Sequence, residues 1–228
     1  MAQILVPLGN NETHIYYFDL EKFILKTNSL LSVHEMEKAG KFRKDLDKKA
    51  FSVGKQLTRL IIQTYNKEMP LIKLNNNNKP FIYENSGLIA KEFNISHSQN
   101  HLVIAVCRNE IGIDIETIRE TEWNSIRNDC FSKKENSHID NSMEGSSSFY
   151  KYWTRKESFL KAEGIGLIDN LKSLEVLDGE NIFLTRNSIK YPSHHISTFF
   201  LNKNVICSVC CTTGEFNTLT LFDGSALY

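Results

Sequence analysis

Hydrophobic periodicity switches several times along the chain. Near the start, apolar and polar residues alternate in short runs, which predicts strands at Gln3 to Leu8, His14 to Phe18 and Lys22 to Leu25. A helix is expected from Ser32, because Ser32 and Glu35 form a Ser-x-x-Glu capping box, with Gly40 as its stop. From about Lys44 to Asn66 the apolar positions Phe51, Leu57, Leu60, Ile61 and Tyr65 recur at helical spacing. His101 to Val106 and Ile111 to Glu116 read as two strands, expected to pair as a hairpin across Arg108-Asn109-Glu110. Ser132 and Glu135 make a second capping box for a short helix, and the polar remainder up to Ser148 reads as a mobile loop. A long amphipathic helix is expected from Phe149, ending in the glycine-rich break at Gly164 and Gly166. Phe149, Tyr152, Phe159 and Leu160 supply its core face, and Trp153, Glu157 and Lys161 stack on another face. Beyond Leu167, strands are expected at Ser173 to Val176, Asn181 to Thr185, His195 to Phe200, Val205 to Cys211 and Thr218 to Phe222.

At 228 residues the chain can bury a real core, in one large domain or two. An apolar fraction of 41% and a charged fraction of 24% are those of an ordinary globular protein. Basic and acidic residues number 27 each, so no overall charge draws the chain to nucleic acid or an anionic membrane. Any polyanion site must be local. The start, MAQILVPLGN, lacks a basic n-region and is broken at Pro7, which reads as neither signal peptide nor membrane span. The five cysteines are odd in number and sit without a disulfide-framework spacing. Cys207 and Cys210, in the strand-like run VICSVCCTT, have no second ligand pair nearby, so buried thiols in a cytoplasmic protein are the expectation.

Chemistry concentrates in a few places. In Ile111 to Glu116 the three isoleucines point one way, while Asp114 and Glu116 point the other, with Cα atoms about 6.5–7 Å apart. Solvated acidic pairs of this kind are common on exposed strands. A hard divalent cation would equally reverse their repulsion, and Mg²⁺ completes its shell with phosphate oxygens. Gly112 allows a close approach to the strand backbone. Glu157 is a third ligand if helix and strand pack together, and Lys161, one turn on, would face the same phosphates. Glu157 and Lys161 could instead be a simple helical ion pair. Lys38, Lys41, Arg43 and Lys44 bunch basic charge at a helix boundary, either as a solvated face or as a phosphate catch. Pro80 biases Lys79 toward an extended conformation at the end of the polar loop Asn75 to Lys79.

The run IGIDIE followed by WTRKESFLKAEGIGL resembles the paired signature of 4′-phosphopantetheinyl transferases of the larger, surfactin-synthetase-activating (Sfp-like) type. KPFI at Lys79-Pro80, FNISHS from Phe93 to Ser98 and FSKKE from Phe131 to Glu135 occur in the matching order, so the resemblance covers roughly residues 38–167. Ser158 stands where that family commonly has alanine.

The resemblance implies an α+β pseudo-dimer of two similar halves, 1–109 and 110–228, with the active site in the cleft between them. It implies transfer of 4′-phosphopantetheine from coenzyme A to a serine of an apo acyl or peptidyl carrier protein, with Mg²⁺ as cofactor and adenosine 3′,5′-bisphosphate released. Asp114, Glu116 and Glu157 would hold the metal, Glu157 would act as base, and Lys161 would pair with the pyrophosphate. Lys38, Lys79, Ser96 and His97 would contact coenzyme A, His97 as a charged clamp on its 3′-phosphate. A monomer without nucleic-acid or membrane partners is expected. A Mg²⁺-dependent phosphodiesterase or nuclease, and an inactive carrier-protein or nucleotide-binding module, are the alternatives.

Overall fold

The computed structural model describes residues 7–23, 30–66, 68–83, 92–120, 123–177, 185–186, 189–190, 194–212 and 218–224. Strand β1 (Glu12–Asp19) is followed by α1 (Val33–Gly40) and the long α2 (Asp45–Asn66). Both helices start where the sequence places them. At Ser32 the capping box is complete: its hydroxyl accepts from Glu35 N–H, and the Glu35 carboxylate accepts from Ser32 N–H. A small hairpin, β2 (Ile72–Leu74) and β3 (Pro80–Ile82), precedes β4 (Glu92–Ser98) and β5 (His101–Cys107). Then come β6 (Ile111–Thr117), the helices α3 (Trp123–Cys130), α4 (Lys133–Asp140) and α5 (Gly145–Glu163), and a 3-10 turn at Leu171–Ser173. Short β7 (Thr185–Arg186) and β8 (Ile189–Lys190) lead to β9 (His194–Asn202), β10 (Val205–Thr212) and β11 (Thr218–Asp223).

The strands form two main sheets, ordered β11-β1-β5-β4 and β6-β10-β9. Alternation along each strand sorts its side chains between two layers. Tyr16, Phe18, Leu102, Ile104 and Val106 pack against Leu57, Ile61 and Ile62 of α2. Ile15, Val103 and Ala105, from the opposite face, meet Ile111, Ile113, Ile115, Cys207 and Val209 of the second sheet. The far face of that second sheet carries Ile196 and Cys210 against Phe159 and Leu160 of α5. The layers therefore run α2, first sheet, second sheet, α5.

A common element order lies beneath this. In the first sheet β5 pairs antiparallel with both β1 and β4; in the second β10 pairs antiparallel with both β6 and β9. Each set has a capping-box helix and then a long helix between its first strand and the other two. In each, the capping glutamate also pairs with a base on the long helix, Glu35 with Arg59 and Glu135 with Lys156. One strand departs from the arrangement: β11, from the end of the chain, joins β1 in parallel on the first sheet.

Several expectations need correction. β5 and β6 do not form a hairpin. Both edges of β5 are already filled by β1 and β4, and β6 pairs with β10. Residues 108–110 step from one sheet to the other, pinned where Arg108 Nε donates to Leu8 O and Asn109 Nδ2 to Asn10 O. Most of 132–148 is helical. After α4, the long helix begins at Gly145, despite three serines of poor propensity, because Ser146 donates to Glu120 and Gly145 packs under the Trp123 ring. Helix α3 was not anticipated, and Ser173 to Val176 holds the end of a 3-10 turn and a single bridge residue, Glu175, rather than a strand. Pro7 and Leu8 lie outside any strand. Residues 3–6, 24–25 and 181–184, assigned to strands from sequence, lie outside the described residues.

The cysteines are free, and all but the half-buried Cys130 are buried. No helix among the described residues is long and apolar enough to cross a membrane.

Candidate active site

The site forms where the second sheet meets α5. Gly112 permits the approach, since a Cβ built on it would lie 1.9 Å from Ser158 O and 2.4 Å from Ala162 N. With the helix this close, the strand face bearing Asp114 and Glu116 lies beneath the helix face bearing Trp153, Glu157 and Lys161. All three helix positions are half-buried while their neighbours are enclosed, as the four-residue spacing requires. Gly164 ends α5 in the left-handed conformation, φ 64°, with its N–H bonded back into the last turn. The Ser158 hydroxyl is accommodated within the helix, donating to Arg155 O.

Lys161 does not pair along the helix with Glu157. Its ammonium donates to Asp114 Oδ1 at 2.6 Å, to Ser96 Oγ at 3.0 Å and to Ile113 O at 3.2 Å. Asp114 is 5% exposed, and its second oxygen, Oδ2, has no hydrogen-bond partner. Glu157 Oε1 is likewise buried and unpartnered. Burial foremost, then the Asp114 charge, pushes the Glu157 carboxyl up to about 7, against relief from Lys161. Glu116 is also raised, by burial and then by Asp114. Three neighbouring acids, two of them with an orphaned oxygen, suit a hard divalent cation. Among the described residues, no three metal-ligating side chains stand already closed around a common point.

Of the other residues singled out from sequence, Ser96 lies at this centre and His97 follows it on β4. Ser96 is buried, and its hydroxyl donates to Asp114 Oδ1 at 2.9 Å, so it is engaged with the acid. His97 is exposed on the opposite strand face, yet the crowding around its ring still lowers its pKa, with Asp47 and Asp114 opposing and Lys161 adding. In the free protein the ring therefore inclines to neutrality; the charged clamp expected from sequence is a state with phosphate bound. Lys79 reaches the end of α5 instead, donating to Ala162 O at 2.8 Å, while Asn77 donates to Gly164 O. Burial lowers the Lys79 pKa, and Glu92, Glu110 and Glu163 oppose that effect. Lys38 lies on α1, its exposed ammonium 5.5 Å from the centre of the Phe51 ring, which Lys55 approaches from 5.8 Å.

Two features escaped the sequence reading. Lys156, beside Glu157, is wholly buried, bonded to Glu135 at 2.8 Å and to the carbonyls of Leu171 and Leu174. Glu135 thus joins α4 to α5 as well as capping α4. Asn94, Ser96 and Ser98 form a polar stripe on β4 that accepts the N–H groups of Ile113, Ile115 and Thr117 along the edge of β6. The two-residue spacing in FNISHS was the available signal.

Comparison with known proteins accounts for most of the chain. Residues 110–210 match the family model described as the 4′-phosphopantetheinyl transferase superfamily, and residues 20–109 match the one described as 4′-phosphopantetheinyl transferase, N-terminal. The chain is 31% identical over 209 residues to the 4′-phosphopantetheinyl transferase ffp of Bacillus subtilis, covering 87% of this chain and 90% of that protein. It is 31% identical over 200 residues to the 4′-phosphopantetheinyl transferase Sfp of Bacillus subtilis strain 168, covering 82% and 85%. To the 4′-phosphopantetheinyl transferase HetI of a Nostoc species it is 30% identical over 184 residues, covering 75% and 76%.

Proposed function

This chain belongs to the 4′-phosphopantetheinyl transferase family, and from that premise we propose that Asp114, Glu116, Glu157 and Lys161 form its reaction centre. It is an enzyme that moves 4′-phosphopantetheine from coenzyme A to a carrier protein. The observation that carries the site assignment is the enclosure of three mutually repelling carboxylates, with orphaned oxygens on Asp114 and Glu157, beside the Lys161 ammonium.

In this reading a carrier-protein serine oxygen bonds to the β-phosphorus of coenzyme A. The bridging P–O bond breaks, and adenosine 3′,5′-bisphosphate leaves with that electron pair. The serine proton goes to Glu157, whose buried Oε1 has no other partner. The rest is positioning and charge stabilisation, as in other phosphoryl transfers. Lys161, already at the mouth of the acids, supplies positive charge to the pyrophosphate oxygens. Asp114, Glu116 and Glu157 would hold Mg²⁺, which when bound offsets negative charge on those oxygens.

Coenzyme A is taken to lie between halves 1–109 and 110–228, with β11 crossing back to the first. Its phosphates would meet the basic residues of 38–44, Lys38 first, and His97 beside the acids. A bound phosphate dianion would restore the proton that crowding disfavours on His97. Lys79 would act at the cofactor's edge, from its anchorage on α5. The relatives are named as transferases, so the phosphodiesterase or nuclease reading and the inactive-module reading are set aside.

The test is incubation of the purified protein with coenzyme A, Mg²⁺ and an apo carrier protein, followed by mass spectrometry of the carrier. One added phosphopantetheine group is expected, lost on adding chelator and in Glu157→Gln. Full modification by Glu157→Gln, or in chelator, would overturn the site assignment.

A further inference from the structure

The hydroxyl of Ser98 on β4 makes two bonds at once. It accepts the N–H of Thr117 at 3.1 Å and donates to Glu116 Oε2 at 2.8 Å. Thr117 directly follows Glu116, so one buried serine fixes both the strand backbone and the carboxylate that projects from it. Ser96 repeats the pattern one step along, accepting from Ile115 N–H and donating to Asp114. Asn94 completes the stripe, accepting from Ile113 N–H through its side-chain oxygen. Asn94 thus secures the same strand edge without any bond to an acid of the site.

A glutamate on a strand has three rotatable side-chain bonds and, left alone, samples many rotamers. Glu116 is also repelled by Asp114, which would turn it outward. The Ser98 hydroxyl opposes that escape, and its own orientation is fixed by Thr117.

We propose that Ser98 is a positioning residue for the transfer: held by the backbone of β6, its hydroxyl aims the Glu116 carboxylate at the site shared with Asp114 and Glu157. The first half of the chain thereby sets the geometry of acids carried by the second. This inference rests on the metal-site reading above.

The test compares Ser98→Thr with Ser98→Val, which have nearly the same shape and differ in the hydroxyl. Any crowding from the added methyl group is common to both, so their ratio isolates the hydrogen bond. Mn²⁺ binding is titrated by calorimetry, and carrier modification is followed against metal concentration. The valine variant is expected to bind Mn²⁺ roughly 10- to 100-fold more weakly than the threonine variant, with the metal requirement for turnover shifted in parallel. Asn94→Ala, which also removes one partner of the β6 edge, is expected to lower the melting temperature while leaving Mn²⁺ affinity near that of the wild type. Equal Mn²⁺ affinities in the valine and threonine variants, or an equal loss in Asn94→Ala, would overturn the proposal while leaving the metal site intact. A wild-type protein that binds no Mn²⁺ would instead overturn the underlying reading, and this proposal with it.

Discussion

Gly112 of β6 lies directly under the carbonyl of Ser158 in α5, where a methyl group would sit 1.9 Å from the oxygen. This contact sets the height of the helix above the strand, and with it the spacing of Glu157 and Lys161 over Asp114. Backbone lies on both sides, so neither can yield by changing a rotamer. Gly112→Ala should therefore push α5 off the sheet and cost roughly 3–5 kcal/mol of stability. Urea unfolding followed by circular dichroism checks this; a midpoint equal to that of the wild type would contradict it.

Lys156 and Glu135 form a second dependence of α5 on its surroundings. Both side chains are fully buried, and the lysine also carries the carbonyls of Leu171 and Leu174. Burial works to deprotonate Lys156, and Glu135 works against that. Lys156→Met would leave the Glu135 charge unpaired in the core, a loss of about 3–5 kcal/mol. A melting temperature lower by roughly 10 °C is expected from differential scanning calorimetry. A shift within the scatter of replicate scans would contradict it.

Glu157 predicts a pH dependence. In the unfolded chain it ionises near its ordinary 4.5; in the fold it does so at about 7. Between these values the folded state holds the extra proton, so stability falls as pH rises through the window and the loss persists above it. Allowing for its partial exposure, the penalty is on the order of 1–2 kcal/mol. In chelator, Glu157→Gln should thus melt above the wild type at pH 8 and close to it at pH 4.5. Equal differences at both pH values would contradict this assignment of the charge.

Much of the fold was legible because local rules decided it. The capping boxes at Ser32 and Ser132 fixed two helix starts, the Trp153, Glu157, Lys161 spacing fixed a face, and Gly164 fixed a stop. Alternation at Ile111, Ile113 and Ile115 correctly sent Asp114 and Glu116 the other way. Strand partners were another matter. Proximity in sequence suggested pairing β5 with β6, whereas β5 pairs with β1 and β10 with β6, strands roughly ninety residues apart, and β11 returns to β1. The likeness between the two sets of elements was hidden because Arg59 in one corresponds to Lys156 in the other, and little beyond the Ser-x-x-Glu capping boxes recurs. Within the site the acids and Lys161 were readable from spacing. The serines of β4 that hold the acids were not, since their role exists only where two sheet edges meet.

A cofactor effect should separate from these structural ones. Lys79 secures the end of α5 through Ala162 O, and with Asn77 it packs against Gly164. Lys79→Ala should raise the KM for coenzyme A, by about tenfold if a charged hydrogen bond is lost, with a smaller change in kcat. Initial-rate kinetics at saturating carrier protein check this; an unchanged KM would remove Lys79 from the cofactor site.

The central claim is that Asp114, Glu116 and Glu157 converge on one cation. Its most direct test is a Mn²⁺ titration followed by electron paramagnetic resonance, on the wild type and on Asp114→Asn, Glu116→Gln and Glu157→Gln. One site is expected in the wild type, weakened in each of the three variants while their melting curves remain cooperative. Binding that is undiminished in any of the folded variants would contradict the claim.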